Sequence, residues 1–573
     1  MKNTEYPSII KKKYFSMLLG GTLSIMVVSI MLMSDTLIAG IVLGQNAVSG
    51  ITLVTPLYSV AAFFGTVFSL GVPILYSTER GAFREKEADR IFKTGFLMAV
   101  VTGVVLFVLV SLFGEMYLRI SNPSTSIYAA ATDYLSFIKY TIFLLPLQAL
   151  LSECIFADGD ESISTISNLV QAIGNVVCSI ILSRIMGVRG IALASFLFNC
   201  ISLLLLVPHF FKKSNTLKIG VAFSFDILKK VVRYSAIDAA SYLFIGILVA
   251  VLNMFVGANF GSGALILVSV ISLARDSQLI FDGIGEAITP ILTIYLGEKC
   301  ISGVGGIYSL AKKTAIAEGV IVTLLICISA PFIPDILQIT DPAMAGYATG
   351  GIRIISIGSA FVSLLYLVSS YDLLIDRISL GLLTSALRDV LLPASLAVVL
   401  GYFFGIYGVC VGIGIAPALA VLILNLYLQK KYPGEAPLLL GDDSKLPSYL
   451  YGLPLEEANI VATRNRIEAD LRTHSCDSKT VNNVMVLFED VCMLLREKNS
   501  GVSVEAECSL LILDDRIRMI FRDTGASFDI TDADMDISSL RSYIVSNLAT
   551  HVSYKRTHLP AMSFNRNVFE VKR

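Results

Sequence analysis

The chain has 573 residues, 55% of them hydrophobic and only 16% charged, with a mean hydropathy of +0.74. A soluble globular chain carries roughly 25% charge, so the composition excludes an ordinary soluble protein. A formal net charge of −1 argues against a general nucleic-acid binder, and nine scattered cysteines without a CxxC pair supply neither a disulfide framework nor a zinc site.

Apolar segments of ~20 residues are long enough to span a bilayer as helices. Twelve are predicted, near 14–40, 51–76, 93–113, 132–156, 164–185, 189–210, 232–257, 264–296, 314–334, 349–375, 379–402 and 405–428. The first follows Lys11–Lys13 and is too long for a signal peptide. It reads "SIMLMSDTLIAGIVLG" and carries Asp35, whose charge costs at least ~2.5–3.5 kcal/mol on insertion scales. Acids inside spans are functional by default; the alternative is a helix-end carboxylate in headgroup water. None of the four histidines, at 209, 474, 551 and 558, lies deep in an apolar run, which argues against a histidine proton relay.

Positive charge sets orientation. Arg80, Arg84, Lys86 and Arg90 lie between spans two and three, Lys212, Lys213, Lys218, Lys229 and Lys230 between six and seven, and Lys430 and Lys431 close span twelve. Both termini are therefore expected in the cytoplasm. The chain also aligns with itself at an offset of 217–218: "IIKKKYFSML" falls on "ILKKVVRYSA", "GVRGIALA" on "GIYGVCVG", and Gly40 and Gly44 on Gly257 and Gly261. An even number of spans per repeat predicts two parallel six-helix lobes, residues 1–218 and 219–431, with a site near mid-depth between them. Asp35 falls on Asn253, so the carboxylate belongs to one lobe only.

Other charges lie within spans. Asp282 and Glu286 are one helical turn apart and share a face, suited to holding a monovalent cation or attracting a cationic substrate; a loop-proximal position is the alternative for Glu286. Asp238 and Asp372 are candidates for lining a C-lobe cavity. The adjacent pairs Arg275–Asp276 and Arg388–Asp389 point ~100° apart on a helix and read as inter-helix ion pairs, with substrate contacts the alternative.

Residues 432–454 have the proline and glycine density of a linker. Beyond it, 455–573 reads as a soluble α/β sandwich. Two amphipathic helices come first, then "VSVEAECSLLIL" and "RIRMIFRD" joined by a turn at Asp514–Asp515, then "DTGASFD", a helix and the last strand "FNRNVFEVK".

The stretches "SDTLIAGIVLGQNAVSGITLVTPLYSV", "SLGVPILYSTERGAFREKEADRIF" and "NLVQAIGNVVCSIILSRIMGVRGIALAS" resemble the multidrug and toxic compound extrusion (MATE) family over roughly residues 10–430. The resemblance implies twelve helices in two lobes and efflux of organic cations driven by inward Na⁺ or H⁺. It implies a coupling role for Asp35, with Asn175 as the matching asparagine of the fifth helix; the family's aspartate four residues on is Ser179 here.

The tail, through "RDTGASFD", resembles the Bergerat-type ATP-binding domain of anti-sigma-factor and histidine kinases. That resemblance implies that Asp523 reads an adenine amino group and that Gly525 admits the base. The general base of that family falls on Asp490 and its Mg²⁺-binding asparagine on Leu494, and "DISSLRSYIVSNLA" stands where a glycine-rich lid is expected. A leucine cannot coordinate a hard cation, so a sensor or docking domain is expected rather than a kinase or ATPase.

The leading expectation is a cation-coupled exporter of small cationic or amphiphilic compounds in the bacterial inner membrane, not an enzyme. It would need no cofactor beyond the coupling Na⁺ or H⁺, with an adenine nucleotide as a possible tail ligand. Its partners would be the substrate, membrane lipids and a cytoplasmic protein at the tail, with no nucleic acid. The alternatives are a flippase for a lipid-linked saccharide and a receptor signalling through the tail.

Overall fold

The computed structural model describes residues 8–573 except 82–83, 214, 434, 436, 441–445, 501–503, 528, 530–536 and 560–561. The first apolar runs form α1 (Ser8–Leu43), α2 (Gln45–Gly81), α3 (Glu85–Ile120), α4 (Thr125–Ala157), α5 (Glu161–Met186), α6 (Val188–Leu206) and α7 (Phe225–Phe260). Then α8 (Leu265–Ser277) continues through a tight turn at Gln278–Phe281 into α9 (Asp282–Gly297), and Ser262–Gly297 together form one apolar span, as expected over 264–296. After α10 (Ile301–Ser329) and the short α11 (Ile333–Ile336) come α12 (Pro342–Ile357) and α13 (Ser359–Leu374), bent by 46°. Finally α14 (Ile378–Ala386) passes through a widened turn at Leu387–Leu391 into α15 (Leu392–Lys431).

Among the described residues nine helices are long and apolar enough to cross a membrane, and the bent pair α12–α13 makes ten. Bilayer-crossing backbone must satisfy its own polar groups, which continuous helices do. Exposed side chains on α3, α5 and α10 include Leu112, Ile173, Ile185, Leu325 and Ile328. Such apolar faces fit lipid and would be a liability in water.

The sequence repeat is repeated in the backbone. Gly44 and Gly261 have φ of 86° and 82°. Gly187 (φ 63°, ψ −140°) and Gly405 (φ 67°, ψ −152°) share a conformation essentially restricted to glycine, and Gly405 breaks α15 where spans eleven and twelve were expected to meet. A Cβ on Gly190 would strike the carbonyl oxygen of Leu182, and one on Gly408 that of Leu400, again 218 apart.

The tail comprises β1 (Ser448–Pro454), α16 (Glu457–Thr473), α17 (Ser478–Lys498), β2 (Glu505–Ile512), β3 (Arg516–Asp523), α18 (Ile537–Leu548), β4 (His551–Leu559) and β5 (Met562–Lys572). Its antiparallel sheet runs β1-β2-β3-β5-β4. Leu513 N donates to Arg516 O (2.9 Å) and closes the hairpin at Asp514–Asp515. Leu487, Phe488 and Val491 of α17 pack with Phe521 and Phe569 as the core. Two strands correct the sequence expectation. Residues 448–454, placed in the linker, are β1, and β4 was not anticipated.

The chain divides into two compact units. One comprises Ser24–Phe281 and Ala315–Asn425; the other comprises Met1–Leu23, Asp282–Thr314 and Leu426–Arg573. The tail thus groups with α9 and the first part of α10.

Candidate functional site

Within the unit built on Ser24–Phe281 and Ala315–Asn425, a cavity of about 140 Å³ is lined by α1, α2, α4, α5, α6, α7 and α8. An engineered cavity of ~150 Å³ accommodates a benzene, and drug-sized ligands occupy ~300–1,000 Å³. This volume therefore suits an ion, a few waters or a very small molecule.

Asp35, eight residues before the end of α1, faces this space. Its Oδ2 accepts hydrogen bonds from Tyr134 Oη (2.7 Å) and Ser195 Oγ (3.1 Å). Its Oδ1 is shielded from solvent and has no hydrogen-bond partner among the described residues. Ser195 Oγ also lies 3.3 Å from Asn175 Oδ1, but one hydroxyl proton serves one acceptor well. Ser179 Oγ donates to that Asn175 oxygen at 3.0 Å, which leaves Ser195 for Asp35. One carboxylate oxygen is thus held by two hydroxyls, and the other is enclosed without a hydrogen-bond partner among the described residues.

The second half supplies Tyr242, Ile245, Ser272, Leu273, Asp276 and Leu279. Arg275 does not pair across to Asp276. It reaches Asp389 Oδ1 at 2.7 Å, and the same carboxylate takes Arg388 through Nη2 at 2.8 Å. Arg388 also lies over the Tyr366 ring, 3.5 Å from its centroid. The expected inter-helix ion pair therefore holds for Arg275 and Asp389, while Asp276 is a correction: it lines the cavity. No lysine or arginine is among the lining residues.

Toward the Leu43–Gln45 end, Thr52 Oγ1 donates to Ser269 Oγ (2.7 Å) and Asn253 Nδ2 to Thr52 O (3.3 Å). Gln338 Nε2 bonds Ile41 O at 2.9 Å. A Cβ on Gly40 would meet Ile336 O at 2.9 Å, so the residue there must be glycine for the chains to come this close.

Of the other expected site residues, Asp238 on α7 and the buried Asp372 on α13 do not line this cavity. Asp282 and Glu286 sit in the first turns of α9, in the other unit, where Glu286 packs against Gly21 of α1.

In the tail, Asp523 at the end of β3 is fully buried. Its Oδ1 accepts from Asn565 Nδ2 and Gly525 N, both at 2.9 Å, while Oδ2 has no partner among the described residues. Burial pushes its carboxyl above the ordinary value, against the pull of those two donors. Asn499 crowds Gly525, since a Cβ there would fall 2.4 Å from Asn499 Oδ1. Asn499 therefore fills the space beside Gly525. Asp490 pairs with Arg541 of α18 at 3.2 Å, and Leu494 is core. Of the lid stretch, residue 536 lies outside the described residues, Ile537–Leu548 form α18 and Ala549 follows its end.

The tail sheet meets α9 through charged groups in its own unit. Tyr295 Oη donates to the Glu507 carboxylate (3.1 and 3.2 Å), Arg522 pairs with both Glu298 and Glu507, and Arg566 Nε reaches Glu298 Oε1 at 2.7 Å. Glu298, Glu507 and Arg522 are all buried.

Residues 22–181 match the MatE family model. The multidrug export protein MepA of Staphylococcus haemolyticus (strain JCSC1435) is 23% identical over 254 residues, 43% of this chain and 56% of that protein. The chain thus matches about half the length of that relative. Among solved structures, an inward-facing multidrug resistance MATE transporter of the MOP superfamily superposes with a TM-score of 0.66 at 18% identity, over 74% of this chain and 98% of that one. An outward-facing member gives 0.59 at 17% identity, over 78% and 100%. A MOP superfamily transporter from Pyrococcus furiosus Vc1 (DSM3638) gives 0.60 at 16%, over 75% and 98%. The fold is that of the MATE transporters.

Within this MATE fold the cavity brings together Asp35 and Asn175 of the expected set and adds Tyr134, Ser195 and Asp276. The three hydroxyl and carboxyl groups lie on separate spans, so no local pattern marks them. Asp276 had one available signal: the offset of 217 places it on Ser59, which lines the same cavity from α2.

Proposed function

We propose that the protein is a secondary active exporter of small cationic or amphiphilic organic compounds, driven by inward Na⁺ or H⁺, in the bacterial cytoplasmic membrane. The observation that carries this reading is the cavity lining, which holds the carboxylates of Asp35 and Asp276 and no basic side chain, in a MATE fold. Two acids in a low-dielectric setting favour cations. A flippase for a saccharide pyrophosphate would want the opposite lining.

In this reading α1, and the division of α15 at Gly405, complete twelve spans arranged as two six-helix lobes, with both termini in the cytoplasm. The enclosed Oδ1 of Asp35 takes the coupling ion, and its release accompanies export. Asp238, Asp282, Glu286 and Asp372 then act, if at all, outside the described cavity. The tail is a regulatory domain that responds to a protein partner or to weakly bound adenine nucleotide, without hydrolysis.

Transport by the full chain reconstituted in vesicles tests this. Accumulation of a fluorescent organic cation under an imposed Na⁺ or H⁺ gradient, and its absence without one, is the expected result. No transport under either gradient would overturn the reading.

A further inference from the structure

The two carboxylates of the cavity are built differently. Asp35 Oδ2 already accepts two hydroxyl donors, and Oδ1 is closed to a water-sized probe. An organic cation cannot touch that oxygen, whereas a proton needs no space beyond the oxygen's own. Asp276 is the reverse. It is only partly buried and lines the open space, its carboxylate accepts no hydrogen bond among the described residues, and Arg275 acts on it through charge alone. Its neighbour in sequence, Arg275, is committed to Asp389. Around it stand Ile245, Leu273 and Leu279, with the Tyr242 ring also lining the space, walls that suit the apolar body of an organic cation better than a hydrated metal.

Resting on the exporter reading above, we propose that the cationic centre of the transported compound binds at Asp276, in the second half of the repeat, and that Asp35, in the first half, is reserved for the coupling ion. The substrate class is then a small organic monocation, an alkylammonium in size, whose apolar body fits a cavity of about 140 Å³. Ion and substrate occupy separate carboxylates, so the two need not compete for one site. The geometry also supplies the rival reading, in which Asp276 is only a counter-charge for the buried Arg275–Asp389–Arg388 cluster.

The test is equilibrium binding of tetramethylammonium, small enough for a cavity of about 140 Å³, to the purified full chain. Asp276→Asn, and Asp276→Ser, which copies the residue at Ser59, should weaken binding at least tenfold, and by more than Asp35→Asn does. Asp276→Glu keeps the charge but lengthens the arm, so the ratio of affinities for tetramethylammonium and the larger tetraethylammonium should shift at least threefold. If the neutral variants do not fold, this ratio decides. Wild-type binding in both neutral variants, an Asp35→Asn loss as large as theirs, or an unchanged ratio in the glutamate variant would each overturn the assignment. A wild-type chain that binds neither cation would instead count against the exporter reading as a whole.

Discussion

Asp35 enters the cavity with one oxygen held by two hydroxyls and the other bare, and each feature can be removed separately. On the exporter reading, Asp35→Asn keeps the shape but abolishes the exchangeable charge, so gradient-driven efflux should be lost while folding and insertion persist. Tyr134→Phe removes one donor to a charged acceptor, an interaction worth about 1.5–3 kcal/mol, and should slow coupled efflux about tenfold or more. Vesicle flux assays read both; wild-type flux in either variant would remove that group from the mechanism. Asp35 was legible because an acid in an apolar run is costly and therefore conspicuous. Tyr134 and Ser195 were not, since a hydroxyl inside a span costs little and stands out from nothing. Asp276 was misread because its neighbour Arg275 offered an obvious partner in sequence, and that arginine is used elsewhere.

At the scale of elements, the glycines that share backbone angles across the repeat end or break their helices. The conformation at Gly405 is one that side chains other than hydrogen rarely tolerate. Gly405→Ala should therefore lower stability by about 1–3 kcal/mol, and Gly187→Ala by a similar amount, as read from thermal unfolding of the solubilised chain; an unshifted midpoint would contradict the dihedral argument. In the tail, burial raises the Asp523 carboxyl above its unfolded value. The folded tail then holds an extra proton between the two values, so its stability rises as pH falls through that interval and is lower above it. Asp523→Asn should flatten this dependence and leave the tail at least as stable at pH 8, as measured by urea unfolding followed with proteolysis. Destabilisation at pH 8 would show instead that the carboxylate is a net support. The tail helices and hairpin were legible from their periods. The edge strands were not: β1 ends in proline, which an edge tolerates, and its "SYLYGLP" lies in a stretch otherwise composed like a linker.

For the whole molecule, the repeat was legible as far as its glycines and lysines, but the grouping of the tail with α9 was not, because it rests on residues more than two hundred positions apart. Glu298 receives both Arg522 and Arg566. Breaking a buried pair by removing one partner costs about 3–5 kcal/mol, so Glu298→Ala should loosen the tail from α9. Faster protease cleavage near residues 432–448 in the variant is the expected signature, and unchanged cleavage would make the cluster dispensable. A different economy governs the contact between Thr52 and Ser269. These residues are 217 apart, equivalent positions of the two repeats, and they touch each other. A position that meets its own copy lies on the line that exchanges the halves, so this bond is a seam joining like to like. It is a neutral hydroxyl pair, worth about 0.5–1.5 kcal/mol net, and on parting each hydroxyl can bind water in place of the other. A charged latch at that point would hold the halves shut against any gradient. On the exporter reading, one ion whose affinity for two arrangements of the halves differs a hundredfold, or about 2.7 kcal/mol, outweighs a hydroxyl seam of this strength.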